Sequence, residues 1–327
     1  MAVTNPIPEN TGLLICGHGS RSALVQQEFV ALVDALRERL SDANIDYGFL
    51  EYAEPGIETA LDRLREQGVT QIKAIPALLF AAQHIKSDLP AVFERYRQRR
   101  PEMAIDMSDE LGLHSDMLAA FQQRILASMG LDALPETGAL YDTLLVVVGR
   151  GTSDIEANAE VEKLTRLMTE TMGFGWSQTV YSGVTFPSVG CGLEMALKLG
   201  FKKLVVAPYF LFGGTLIGRV NAYVQHIAQQ HTDVQFYQAD YLRDHEHVVS
   251  AMVARLNDLL GNNKQAYVQG ATKPADQNYP HIAHPYGPRT MVNDNVCCCF
   301  TKTLPQSVID EEQSVKSERA GKPQCKR

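Results

Sequence analysis

The chain has 327 residues, is 45% hydrophobic and carries a formal net charge of −8. At about 100–200 residues per domain this gives two domains and an appendage, each domain long enough to bury a core. The acidic balance excludes nucleic acid or an anionic membrane as the main partner, since both need a basic surface, and no apolar run reaches the roughly 18–20 residues of a membrane span.

Residues 1–9 are polar and contain proline, without the apolar stretch of a secretory signal, so the chain reads as cytoplasmic. Residues 13–16 form a short apolar run that ends in Gly17-His18-Gly19-Ser20, the pattern of a buried strand followed by a turn. Val25, Phe29, Leu32, Val33, Leu36 and Leu40 then recur at helical spacing. A second strand is expected over 45–51, a helix over 57–67 closed by Gly68, and a third strand over 72–80. A helix over 88–99 with Pro90 near its start, a fourth strand over 103–107 and a helix over 114–129 complete the series. Residues 132–137, with Pro135, read as a linker. Further strands are expected near 143–148, 179–184, 203–210 and 234–239. Strands alternating with helices of ten or more residues make an α/β protein built of two similar four-stranded parallel sheets flanked by helices. The expected divisions are 1–137, 138–262 and a largely irregular, Pro- and Cys-containing tail over 263–327.

The two halves repeat each other. Residues 13–20 return as 145–152, Pro55 as Pro187, Gly68 as Gly200 and Pro76 as Pro208, always 132 positions apart. The second half places Ala157, Val161, Leu164, Thr165, Met168 and Met172 where the first helix has its apolar face. At that same offset His18 becomes Arg150 and His84 becomes Leu216. Imidazoles in one half only point to a single asymmetric site, with a reactive wall and a binding wall.

Ligands in open parallel sheets bind beyond the carboxyl ends of the strands. His18 lies after the first expected strand, Glu51 ends the second and His84 follows the third, so all three converge on one edge. Two imidazoles and a carboxylate suit a divalent first-row metal such as Co²⁺, Fe²⁺, Ni²⁺ or Zn²⁺. They equally suit a general base. Glu54 is the alternative to Glu51. In the second half Arg150 is read as an anchor for carboxylates, with Gly151, Thr152 and Ser153 beside it. Gly213 and Gly214, next to Leu216, offer bare backbone and an apolar face to a flat macrocycle. Ser20, Arg21, Lys86 and Arg219 lie near the same loops, either pairing with further carboxylates or remaining solvated. His114, His245 and His247 sit at expected helix starts and read as structural caps or surface residues. Cys16 and Cys191 read as small core residues.

The motifs Leu13-Leu14-Ile15-Cys16-Gly17-His18-Gly19-Ser20-Arg21, Phe49-Leu50-Glu51 with Pro55, and Pro76 with Leu78-Leu79-Phe80, His84, Asp88 and Pro90 occur in order. Together they resemble the sirohydrochlorin chelatases of the CbiX type, in the long, duplicated form with a C-terminal tail. The resemblance covers about residues 10–260. It implies two chelatase-like subdomains with the active cleft between them, and ATP-independent insertion of Co²⁺ into sirohydrochlorin for cobalamin synthesis. It also implies that His18 and His84 handle the metal with Glu51 assisting, and that the substrate's many carboxylates meet the Arg-bearing wall. Insertion of iron for sirohaem, or a non-catalytic metal or tetrapyrrole carrier, is the alternative. A homodimer, or hand-over of product to the next pathway enzyme, is left open. Long forms of the family often carry a His-rich tract and spaced cysteines that bind an iron–sulfur cluster. Here the tail has His281, His284 and the contiguous Cys297, Cys298 and Cys299, a spacing that does not support a cluster, although these residues could hold a second metal.

Overall fold

Residues 3–261 are described in a computed structural model. The tail, with His281, His284 and Cys297 to Cys299, lies outside the described residues. The first half runs β1 (Thr11–Gly17), α1 (Ala23–Arg39), β2 (Asn44–Phe49), α2 (Ile57–Glu66), β3 (Gln71–Pro76), α3 (Leu89–Arg99), β4 (Ala104–Met107) and α4 (Ser115–Ser128). The second runs β5 (Thr143–Gly149), α5 (Ile155–Met172), β6 (Trp176–Tyr181), α6 (Val189–Leu197), β7 (Lys203–Pro208), α7 (Thr215–Gln230), β8 (Gln235–Gln238) and α8 (Glu246–Leu260). Each half forms a four-stranded, all-parallel sheet, ordered β2-β1-β3-β4 and β6-β5-β7-β8.

Every residue of β1 and of β5 is buried, as expected of central strands covered on both faces. Side chains alternate between two cores, following the two-residue period of a strand. Leu14 and Cys16 face an outer core with α2 and α3, and Leu144, Val146 and Val148 face another with α6 and α7. Leu13 and Ile15 of β1 and Leu145 and Val147 of β5 all face one shared inner core. That core is filled by Phe29 and Leu32 of α1, Phe121 of α4, Leu164 of α5 and Met252 of α8. α4 packs against α5, β7 and β8 of the second half, while α8 packs against α1 and β3 of the first. Each half thus lends its last helix to the other. Tyr209, 2% exposed, adds a polar tie by donating from Oη to the Gly112 carbonyl across the interface (2.7 Å). Among the described residues no helix is long and apolar enough to cross a membrane.

β2 stops at Phe49 and β7 at Pro208, each two residues short of the expectation, and β3 and β6 differ further. β3 ends at Pro76 instead of continuing to residue 80, because the carbonyls of Leu78 and Leu79 accept from Leu111 and Gly112. The apolar run 77–80 therefore reports core packing, with no further strand pairing behind it. β6 lies three residues earlier than expected, since it is an edge strand and begins with the exposed Trp176 and half-buried polar residues that carry little apolar periodicity.

The expected caps at 114 and 245 are present. His114 Nδ1 accepts from the Asp116 amide and His245 Nδ1 from the His247 amide, each 3.2 Å, at the starts of α4 and α8. Burial lowers the pKa of both imidazoles, helped at His114 by Arg255 and at His245 by Arg124 and His247. A protonated imidazole cannot accept, so the caps need the neutral form. Because the folded values lie below the ordinary 6.5, their stabilisation is complete above pH 6.5 and is lost as pH falls through the lowered values. The double variant His114→Asn/His245→Asn, whose amides cap without titrating, should therefore lose less thermal stability than the parent on acidification below pH 6.5. Identical acid slopes in melting curves would exclude the caps as its source.

Candidate functional site

The sheet order places the ends of β2, β1 and β3 side by side, and the loops beyond them carry Glu51, His18 and His84. The crossing of the first two loops is tight. Gly19 has φ +93°, and a Cβ there would lie 1.7 Å from the Glu51 carbonyl oxygen, so no side chain fits beside His18. His84 is not at a strand end, as the expected length of the third strand implied. It lies eight residues past Pro76, in a single π-helical turn, His84–Asp88, that leads directly into α3. Pro90 has no amide proton to give to the Lys86 carbonyl, and its ring crowds that carbonyl. The Leu89 amide bonds back to the His84 carbonyl, widening the turn. The second copy supplies the control: Ala222 stands at Pro90's position, and α7 is a regular helix from Thr215.

One nitrogen of each histidine and one Glu51 carboxylate oxygen all lie within 4.8 Å of one another. The imidazole rings meet edge to face with centroids 4.4 Å apart, and His18 Nε2 lies 3.7 Å from Glu51 Oε1. His18 Nδ1 is 2.9 Å from the Gly19 carbonyl, and His84 Nδ1 is 2.7 Å from Asp88 Oδ2. A carbonyl and a carboxylate both accept, so each Nδ1 carries the proton and each Nε2 keeps its lone pair. Burial lowers the His18 pKa, and His84 and Arg150 lower it further against the opposing Gly19 carbonyl and Glu51. The arrangement thus brings two imidazole Nε2 atoms and a carboxylate oxygen together with coordination positions left open, a set that can take up and release a divalent ion. Glu54 is turned away: its Oε2 accepts from the Gly56 amide, and it lines a shallow groove along α1 with Gln27, Val30 and Tyr47.

The facing wall has none of these ligands. At the shared offset Arg150, Gly183 and Leu216 replace His18, Glu51 and His84. A Cβ on Gly183 would lie 2.5 Å from the Arg150 carbonyl oxygen, so this backbone has no room for a carboxylate. Arg150 is exposed; its carbonyl accepts from Ser182 Oγ, but its guanidinium makes no hydrogen bond or ion pair among the described residues, and it lies close enough to His18 to disfavour its protonation. Gly151 and Thr152 share its turn. The Thr152 amide donates to Asn158 Oδ1 and Thr185 Oγ1, and its hydroxyl accepts from the Asp154 amide. The Gly213 amide donates to Glu28 Oε2 of the first half (2.7 Å), whereas the Gly214 carbonyl accepts from the Gly218 amide and its own amide has no partner among the described residues. Leu216 is half-buried against the second half's outer core. Lys86 is exposed but not free for substrate: it bridges Asp154 and Glu156 of the second half.

Ser20 Oγ accepts from the Ser22 amide, and the Arg21 guanidinium lies 5.1 Å from the centre of the Tyr52 ring. Tyr52 and Asp88 are part of the site without having been singled out as site residues from sequence. Tyr52, 54% exposed, has φ 64° and stacks on His18 at 6.0 Å. Its hydroxyl bonds to Glu51, which raises the phenol's pKa. The sequence signal was its place directly after Glu51. For Asp88 the signal was the four-residue spacing from His84, which puts both on one helix face. Cys16 is fully buried beneath His18, and burial pushes its thiol pKa far up, as a core residue requires.

The CbiX family model matches this chain twice, over residues 12–128 and 144–259. A sirohydrochlorin cobaltochelatase of Priestia megaterium is 32% identical over 250 residues, covering 75% of this chain and 79% of that protein. A sirohydrochlorin ferrochelatase of the same organism is 28% identical over 259 residues, covering 78% and 93%. Among solved structures, SirB from Bacillus subtilis with Fe³⁺ superposes with a TM-score of 0.67 at 27% identity, covering 77% of this chain and 96% of that one. SirB from Bacillus subtilis subspecies spizizenii in complex with cobalt gives 0.63 at 26% identity, with the same coverage. A family match that returns in each half, over two sheets of one topology, shows that the chain belongs to the CbiX family.

Proposed function

We propose that the chain is a sirohydrochlorin chelatase that inserts a divalent metal, Co²⁺ in its physiological reaction, without ATP. The observation that carries this reading is the His18–Glu51–His84 set on one wall facing Arg150 on the other. Residues 1–137 are the catalytic half and 138–262 the substrate-binding half. Arg150 has no carboxylate partner among the described residues, and its charge beside the ligands disfavours a bare cation. A tetrapyrrole bearing carboxylates relieves both, by pairing with the guanidinium and by accepting the metal. Arg21 and Ser20 border the same opening, and the glycines at 151 and 214 let the ring approach the backbone.

The metal substrate is held by Nε2 of His18 and His84 and by Glu51 as the ring enters between the walls. Two pyrrole protons must leave as the nitrogens take over the ion. Glu51, with its side chain 40% exposed against 23% for His18, accepts them and passes them to water. Binding energy from the carboxylates holds the ring in the bent form that turns its nitrogens toward the metal. Cobalt as the physiological metal is supported by the likeness to the cobaltochelatase, and the N/O ligand set suits it. Iron is the second reading, supported by the likeness to the ferrochelatase.

His18→Ala and His84→Ala should each abolish insertion while sparing ring binding; retained turnover in both variants would end the assignment. Arg150→Ala should raise KM for sirohydrochlorin about tenfold or more with a smaller effect on kcat, equivalent to the loss of roughly 1.5–3 kcal/mol for a charged hydrogen bond. An unchanged KM would remove Arg150 from the binding wall. Under anaerobic conditions with equimolar Co²⁺ and Fe²⁺, the absorbance of the cobalt product should dominate, whereas a predominance of sirohaem would favour iron.

A further inference from the structure

We propose that Asp88 is a positioning residue for the metal, holding His84 in the tautomer and orientation that present Nε2 to the ion shared with His18 and Glu51. The inference rests on His84 being a metal ligand. Asp88 Oδ2 lies 2.7 Å from His84 Nδ1, four residues back along the π-helical turn. Among the described residues this is the only polar contact of the Asp88 carboxylate: it stands at the start of α3 and makes no capping bond there. A half-exposed pair of this kind adds little to stability, so fold stability does not explain it. It does account for the ring. Without an acceptor at Nδ1, the proton can sit on either nitrogen and the ring can turn about χ2; with one, the Nε2 lone pair is fixed, and the carboxylate raises its donor strength.

The second copy is consistent with the role. Where Leu216 replaces His84, Val220 replaces Asp88 and is buried in the outer core at 1% exposure. His18 reaches the same tautomer through the Gly19 carbonyl, a neutral acceptor supplied by the tight turn. The two imidazoles therefore differ in support: His18 is held by backbone, and His84 by a charged side chain that a single substitution can remove.

The test uses the full chain with Asp88→Ala and Asp88→Asn. In metal-free protein, ¹⁵N NMR of the imidazoles should show His84 as the Nδ1–H tautomer in the parent and as a mixture in Asp88→Ala. Calorimetric titration with Co²⁺ alone should show binding weakened about 10- to 100-fold in Asp88→Ala, with an altered Co²⁺ visible spectrum and an unchanged melting temperature. Asp88→Asn, whose amide oxygen still accepts from Nδ1–H, should recover most of that loss. In turnover, KM for Co²⁺ should rise while KM for sirohydrochlorin stays constant. Parent-like Co²⁺ affinity and His84 shifts in Asp88→Ala would overturn the proposal. So would equal losses in the two variants, since charge alone would then account for the effect. If the chelatase reading itself fails, the parent binds Co²⁺ without inserting it, and the NMR and calorimetric results still decide the role of Asp88.

Discussion

The inner core shared by the two sheets is the constraint on which the rest of the molecule depends. Neither sheet is covered on its inner face by its own helices alone, because α4 lies on the second sheet and α8 on the first. Separating the halves would expose Phe121, Met252, Leu164 and their neighbours, each buried aliphatic or aromatic side chain being worth about 1.5–3 kcal/mol. The halves are therefore held in one mutual orientation, and a close-packed core transmits that orientation to the loops. Glu28 extends the coupling toward the site: from α1 it accepts from the Gly213 amide and from Tyr241 Oη of the other half. Lys86 closes it on the far side through Asp154 and Glu156. The opposition of His18 and Arg150 is thus a consequence of packing well away from either residue.

Duplication on such a frame lets one scaffold provide two chemically different walls. Both copies make the same turn after the first strand, with Gly19 and Gly151 at positive φ. In the first copy the turn presents an imidazole with a lone pair toward the cleft; in the second it presents a guanidinium, which cannot give up its proton. The loss in the second copy extends to the third ligand, since Gly183 lies too close to the Arg150 backbone for any side chain. On the proposed function, the imidazole-bearing wall handles the metal and the Arg150 wall binds carboxylates, as a reaction that brings a cation to a polycarboxylated ring requires.

The π-helical turn shows how a single residue changes a site through backbone geometry. Pro90 and Ala222 occupy equivalent places, yet only the first is preceded by a widened turn. His84, Asp88 and Pro90 were all readable in the chain, but their cooperation depends on the path of the backbone between them.

The sequence alone determined the fold class and the grouping of His18, Glu51 and His84 at one sheet edge. Period-two and period-3.6 patterns report burial, and a constant offset between Pro55 and Pro187 or His18 and Arg150 reports duplication; both are properties of the chain itself. The convergence of His18, Glu51 and His84 followed from topology, since parallel strands put their following loops on one edge. Tertiary structure decided what depends on partners distant in sequence. It selected Glu51 over Glu54, and ended β3 at Pro76 because Leu78 and Leu79 bond to residues beyond α3. It also committed Lys86 and the Gly213 amide to partners in the opposite half, and brought Tyr52 onto His18. An isolated stretch of sequence carries its own periodicity and turn chemistry, but not the identity of the groups that packing will place against it.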